Sequence, residues 1–361
     1  MKKLLLIVAA LVLSASNSYS ADGWYKFFSG KVGGKTAYIN LIRFESVISG
    51  YYFDENKQPR RIIGEIKGDS IMMSPYTANS SFDDFRGVFR NGAYKGTCTV
   101  NEKETKIDFE FTVDQAASDL FDFIFVKQDK KLFKGYKNSP TASYTEGCIW
   151  PNEKYTQYEY LRAVISQQKK FPGGMKSVSS TLKNNMEAFF TSYFDNYKDV
   201  TKKEIEKDNY LSSGYSLEDE DLMVPAYYDN NIFIISSMNY SFTGGAHGNY
   251  GTGYYTIDLK NKKILKLEDI LTTDGIKNMP ALLEKYFRIQ FEVADSSSLT
   301  DAGLFADTIN VNDNFCLTPR CLMFCYTPYE IGPWALGEVN IYIPINELQN
   351  YMKPDAVSLI K

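Results

Sequence analysis

Between Trp24 and Val113 the chain reads as eight consecutive strand-length runs separated by turn residues, and no other stretch restricts the fold as tightly. The runs are WYKFFSG, TAYINLIRF, SVISGYYFD, RRIIGEIKG, SIMMSPY, DFRGVFRNG, AYKGTCTV and KIDFEFTV. Turn signals recur about every dozen residues, the spacing of an all-β meander. Eight such strands either close into a small barrel or fold into a sandwich. Gly50, Gly64, Gly87 and Gly96 fall inside or beside the runs, where strands bend sharply. Aromatic residues make up 15% of the chain, with 27 Tyr and 24 Phe, which suits strands that bury one face. Tyr51, Phe53, Phe85 and Phe89 are candidates to point inward and fill a barrel, the alternative being a ligand cavity of the lipocalin kind.

Residues 116–175 lose this regularity. DLFDFIFVKQ reads as a last strand or an edge, followed by a Tyr- and Lys-rich stretch through Pro140, Pro151 and Pro172-Gly173-Gly174. Dense turn formers with little periodicity predict a connector, with a short helix near residues 155–167 and a boundary near residue 150. From about Ser177, read as a helix cap, Val178, Leu182, Met186, Phe189, Phe190, Tyr193 and Phe194 recur at helical spacing. A second helix is predicted from Asp274 to about Val293, with Pro280 in its first turns. NIFIISSMNYSF, NYGTGYYTIDL and KKILKLED read as strands between the helices, and NFCLT, RCLMFCYTPY and EVNIYIPI as strands after them. The expected class is α+β: an all-β meander over residues 21–115, a connector over 116–175, and an α+β domain over 176–361 with two helices on an antiparallel sheet.

The first twenty residues carry Lys2 and Lys3, an apolar run from Leu4 to Leu13, and small residues before Ala21. That is the pattern of a cleavable export signal cut near Ser20-Ala21. The apolar run is shorter than the roughly 20 residues that span a bilayer, and no cysteine near the cut points to a lipid anchor. The expected location is periplasmic or secreted, with no integral membrane segment after cleavage. Removing residues 1–20 takes two lysines from 40 basic residues and none from 44 acidic ones, so 38 against 44 leaves a net charge of −6. An acidic surface disfavours nucleic acid and tolerates basic partners. The five cysteines (Cys98, Cys148, Cys316, Cys321 and Cys325) are an odd number. In an oxidising compartment Cys316 with Cys321, and Cys98 with Cys148, are candidate pairs, and buried free thiols are the equal alternative.

His247, the single histidine, sits in Gly244-Gly245-Ala246-His247-Gly248 between two strands. Ser236, Ser237 and Ser241 lie close in sequence, but no nucleophile-elbow pattern surrounds them, so a turn histidine bonded to backbone is the favoured reading. One histidine and scattered cysteines lack the spacing of a zinc site, and no Gly-rich phosphate loop is present, so no cofactor or metal is expected. Glu218-Asp219-Glu220-Asp221 reads as a solvated charge run in a loop. Glu330 and Glu338 bracket Gly332-Pro333-Trp334 and are the remaining carboxylate pair for a hydrolase.

Tyr240-Ser241-Phe242-Thr243-Gly244-Gly245-Ala246-His247-Gly248, then Thr256-Ile257-Asp258-Leu259 and Leu265-Lys266-Leu267-Glu268-Asp269-Ile270-Leu271, form one ordered motif. A second runs from Phe324-Cys325-Tyr326-Thr327-Pro328-Tyr329-Glu330-Ile331-Gly332-Pro333-Trp334-Ala335-Leu336-Gly337 to Ile343-Pro344 and Leu348. Together they resemble the RsiV-type extracellular domain over about residues 175–355. That domain occurs in lysozyme-sensing anti-sigma factors and in the non-catalytic N-terminal region of the peptidoglycan deacetylase PdaC. The resemblance implies an α+β fold and binding, of a lysozyme in the best-understood relative, rather than catalysis. This chain shows no sigma-binding segment and no deacetylase domain, so the signalling role does not carry over. If a partner docks, Tyr329 and Trp334 are the expected anchors, with His247 and Glu330 beside them, burial of the two rings in the core being the equal alternative.

The leading expectation is thus a non-enzymatic envelope protein that binds a lysozyme-like protein or a cell-wall component. A cell-wall carbohydrate or peptide hydrolase and a small-molecule carrier using the N-terminal barrel are the alternatives. Asp69-Ser70-Ile71 and Asp307-Thr308-Ile309 also resemble a short O-glycosylation acceptor of exported bacterial proteins, with Ser70 and Thr308 as the acceptors.

Overall fold

The computed structural model describes residues 23–76, 84–100, 105–207 and 209–361, so the export signal over residues 1–20 lies outside the described residues. All eight runs of the meander form strands: β1 (Trp24–Val32), β2 (Lys35–Phe44), β3 (Val47–Asp54), β4 (Arg60–Lys67), β5 (Ser70–Pro75), β6 (Phe85–Arg90), β7 (Ala93–Val100) and β8 (Thr105–Asp114). They pair antiparallel in sequence order, and β1 pairs with β8 to close a barrel. The wall bends where side chains are missing. A Cβ on Gly96 would collide with the Arg86 carbonyl on β6, and one on Gly64 with the Met72 carbonyl on β5.

The barrel is filled by its own side chains. Phe28, Ile39, Leu41, Ile48, Ile62, Met73, Phe85, Tyr94 and Phe111 are all at most 1% exposed and form one apolar cluster, and Phe89 packs against it. Phe85 therefore points inward as expected. Tyr51 and Phe53 do not. Tyr52 occupies the inner face of β3, so its two neighbours face outward and join a different core.

That second core lies beneath a six-stranded sheet of order β14-β13-β12-β11-β10-β9. Its members are β9 (Phe121–Lys131), β10 (Thr141–Pro151), β11 (Leu217–Tyr228), β12 (Ile232–Phe242), β13 (Asn249–Asp258) and β14 (Lys263–Ile264). All pairings are antiparallel except β10 with β11. The segment expected as a connector thus supplies two full sheet strands, with β9 at the edge. It also supplies α1 (Glu159–Lys169), the short helix foreseen near residues 155–167. The chain then runs through α2 (Met175–Asn196), which packs on β9 and β10 and carries it to the parallel strand β11. The cap of α2 is Gly174 and not Ser177, which is the helix's third residue. The helix predicted from Asp274 is α3 (Thr273–Gln290), capped by the Thr272 side chain on the Gly275 amide, 3.1 Å away.

A three-stranded sheet of β15 (Phe315–Leu317), β16 (Cys321–Tyr326) and β17 (Val339–Pro344) completes the fold. It adheres to β13 through side chains: Asn314 accepts from the Tyr254 amide and donates to the Thr252 carbonyl, at 2.9 and 2.7 Å. All five cysteines are buried and none is joined in a disulfide, with Cys98 inside the barrel and Cys148 in the other core. The candidate disulfides do not form, and the thiols serve as small apolar side chains.

Tyr25, Phe27, Phe44, Tyr51 and Phe53 on the outside of the barrel belong to the same apolar cluster as the six-stranded sheet. Phe53 meets Tyr227 edge-on at 5.3 Å, Tyr25 meets Phe121 at 5.5 Å, and the Tyr51 and Tyr254 hydroxyls are 3.1 Å apart. The junction of barrel and sheet is core and not a linker.

Candidate functional site

The acidic run Glu218–Asp221, expected in a loop, lies in β11 and alternates faces as a strand must. Asp221 pairs with Lys169 at 2.6 Å, and Lys169 reaches the buried Glu146 at 3.9 Å. Glu146 also accepts from Tyr144 and Asn185, so this group ties α1 and α2 to the sheet. On the other face burial raises the Glu220 carboxyl, against the pull of Arg61. Asp221 and Glu220 thus serve the fold, while Glu218 is exposed as a solvated run would have it.

The single histidine is held differently. Gly244 and Gly245 take φ values of 86° and 102°, which let the connection from β12 to β13 turn sharply. His247 then sits with Nδ1 3.0 Å from the Gly248 carbonyl. A carbonyl only accepts, so Nδ1 carries the proton and Nε2 is left to accept from the Tyr329 hydroxyl at 3.4 Å. The Trp334 indole stacks on the imidazole, with centroids 4.2 Å apart and planes within 23°, and its N–H donates to the same Gly248 carbonyl at 3.1 Å. Residues 82 and 87 positions later in sequence therefore close on His247 from one loop, the connection from β16 to β17.

That loop is braced and strained. Glu330 accepts from Asn312 with one carboxylate oxygen at 2.7 Å, and from the Thr327 amide with the other at 2.9 Å. Its carboxylate is consumed in holding the turn, so Glu330 positions Tyr329 and presents no free oxygen for acid–base work. Tyr329 has φ 71°, rare for a bulky residue, and is 53% exposed. Such strain costs about 1–3 kcal/mol and persists only where surrounding contacts impose it. We expect Tyr329→Gly to raise the urea midpoint, or at least leave it unchanged, while removing the ring that contacts His247. A clear fall in the midpoint would show that the ring stabilises the fold more than the strain weakens it.

Of the residues singled out in the sequence, His247, Tyr329 and Trp334 come together, and Glu330 supports them. Glu338 does not join them. It is 5% exposed and turns inward, where burial raises its carboxyl against the opposing pull of Arg61 and of hydrogen bonds from Thr252, Asn340 and Cys325. Ser236 is fully buried and donates to the Val224 carbonyl at 3.2 Å, so it is not a partner for His247. Among the described residues, no group of three His, Cys, Asp or Glu is placed to hold a metal ion.

Two rings escaped the sequence reading. Tyr250 on β13 meets Trp334 edge-on at 6.2 Å, and Tyr76, just after β5 of the barrel, meets Tyr250 at 5.7 Å. The Arg61 guanidinium lies 3.7 Å from the Tyr76 ring centre and donates to Thr252 at 3.3 Å. Tyr250 lies two positions past Gly248, within the first motif's strand. Tyr76 had no signal, because its neighbours are far away in the chain. A recess of about 220 Å³, lined by Phe305, Thr308, Asn312, Tyr326, Glu330 and others, opens beside Tyr329.

Residues 268–346 match the family described as protein of unknown function (DUF3298), and residues 152–250 match the family described as deacetylase PdaC. A solved member of the DUF3298 family from Bacteroides fragilis is 25% identical, with a TM-score of 0.57, covering 67% of this chain and 96% of its own. A DUF3298 family protein from Pseudomonas aeruginosa is 17% identical, with a TM-score of 0.43, covering 65% of this chain and 95% of its own. No curated protein matches the chain. The chain is therefore similar, in succession, to a PdaC-type and a DUF3298 domain, and the RsiV-type resemblance over residues 175–355 holds in that coarser form.

Proposed function

We propose that this chain is an exported, non-enzymatic binding module of the cell envelope, docking a protein or cell-wall ligand on the face formed by His247, Trp334 and Tyr329. One observation carries the reading: a braced turn holds Tyr329 at φ 71°, a conformation rare for a bulky residue, and presents its ring 53% exposed. Exposed, rigid aromatics are the side chains that dominate binding energetics. The hydrolase alternative loses support, since among the described residues His247 bonds to a backbone carbonyl and a tyrosine and to no carboxylate, and the carboxylates of Glu330 and Glu338 are committed to the fold. The carrier alternative loses support because large side chains occupy the barrel interior. An acidic mature surface favours a basic partner, such as a lysozyme-like enzyme.

The test is capture of lysozyme, and separately of purified peptidoglycan, by the immobilised mature chain. The expected result is binding to one of them that Tyr329→Ala weakens roughly tenfold, the effect of one truncated aromatic anchor. Equal capture by both proteins, or none by either, would sink the reading. Cell fractionation and an intact mass beginning at Ala21 test the location. The same mass reports any glycan on Ser70 or Thr308, both of which are exposed.

A further inference from the structure

The rings at the candidate site do not stop at Tyr329. Tyr329, His247, Trp334, Tyr250 and Tyr76 follow one another as neighbours, each touching the next, and none of the five is buried. The row begins on the loop from β16 to β17, crosses the end of β13, and finishes on the barrel. Five partly exposed rings, each in contact with the next, form an extended surface, and a small compact ligand would use only one or two of them.

From this row we infer that the site binds a linear, uncharged glycan strand laid along it from Tyr329 to Tyr76. The inference rests on the binding-module reading and names the ligand class of that same site. A pyranose ring presents a face of C–H bonds that packs on an aromatic face, and hydroxyls at its edge that bond to water or to polar tips such as tyrosine hydroxyls. A linear chain repeats that face along its length, so it can meet successive rings of the row from one end to the other, which a small compact ligand cannot. Single-stranded nucleic acid also stacks on aromatic rows, but it needs a basic groove along its phosphates. Here the mature chain has 38 basic against 44 acidic residues. The cation packed on the row's last ring, Arg61, is 7% exposed and committed to Tyr76 and Thr252. The same charge balance disfavours anionic polymers.

Chito-oligosaccharides and cello-oligosaccharides of two to six units, titrated into the mature chain and followed by tryptophan fluorescence and calorimetry, test this. Affinity is expected to climb with chain length, because longer chains reach more rings. Tyr76→Ala and Tyr329→Ala, at opposite ends of the row, should each weaken binding of the six-unit chain roughly tenfold, as loss of one stacked ring predicts, while leaving the two-unit chain little changed. Trp334 holds the Gly248 carbonyl and risks the local fold, so the two end variants, checked by circular dichroism, carry the test. Absence of binding by any six-unit chain at millimolar concentration overturns the inference, as does affinity independent of length or indifferent to Tyr76→Ala. Capture of lysozyme that depends on Tyr329, with no oligosaccharide bound, removes the glycan strand and leaves the binding-module reading standing.

Discussion

Arg61→Ala is expected to cost about 3–5 kcal/mol of stability, the scale of leaving a buried charge uncompensated. Arg61 on β4 is 7% exposed, and Glu338, just before β17, is 5% exposed, so both charges sit at the junction of barrel and sheet. Arg61 bonds to Thr252 on β13 and covers Tyr76, and its charge opposes the effect of burial on Glu338. Without it, Glu338 is an acid in the interior with no cation to balance it. The pH dependence follows from the direction of its shift. Burial raises the Glu338 carboxyl in the folded state, so its ionisation is easier unfolded than folded. Stability from this group is present below the unfolded value and is lost as the pH rises through the folded one. Removing Arg61 raises the folded value further, which deepens the loss and extends it to higher pH. Urea midpoints at pH 5 and pH 8 should therefore show a smaller deficit for Arg61→Ala at the acid end. Adding Glu338→Gln should recover most of the loss at pH 8, since a neutral amide has no charge to strand. A deficit independent of pH and unmoved by Glu338→Gln would mean that Arg61 acts only by packing on Tyr76.

Barrel strands were legible because each meets its neighbour in sequence, so turn chemistry and alternation describe both partners at once. The face of each strand was not. Large apolar residues occupy both sides of β3, since the barrel interior takes Tyr52 while the sheet takes Tyr51 and Phe53, and alternation cannot rank two buried faces. DLFDFIFVKQ, read as a last strand or an edge, is the edge strand β9, whereas β10 was read as connector because it finds its parallel partner β11 only after α1 and α2 have intervened. At the site, Tyr329, Trp334 and His247 could be singled out as polar-tipped rings in loops. Glu330 was seen as a carboxylate and not as a brace, since spacing does not reveal that its oxygens are spent on Asn312 and Thr327. Arg61 and Tyr76 were invisible, because what matters about them lies on strands more than 170 residues away, as the separation of 191 between Arg61 and Thr252 shows.

The shared core makes a larger prediction about the barrel as a unit. Residues 21–115 read as a domain in sequence, and inside the barrel they are one: fifteen buried side chains form a cluster of their own. Their outer face tells against independence. Tyr25, Phe27, Phe44, Tyr51 and Phe53, each at most 9% exposed in the whole chain, lean on Phe121, Phe123, Tyr227, Tyr228 and Tyr254. Returning each to water costs about 1.5–3 kcal/mol, so five together rival the roughly 5–15 kcal/mol that holds a typical domain folded. Residues 21–115 produced alone should therefore associate, or unfold at a far lower urea concentration than the intact chain. They should also bind a hydrophobic dye that the intact chain excludes, as an exposed apolar patch of this size requires. The intact chain, in turn, should lose barrel and sheet in one transition, seen at the same urea concentration by tryptophan fluorescence and by far-ultraviolet circular dichroism. A monomeric fragment that melts at the intact chain's midpoint would show that the barrel needs nothing from the sheet, and that the aromatic junction contributes to docking alone.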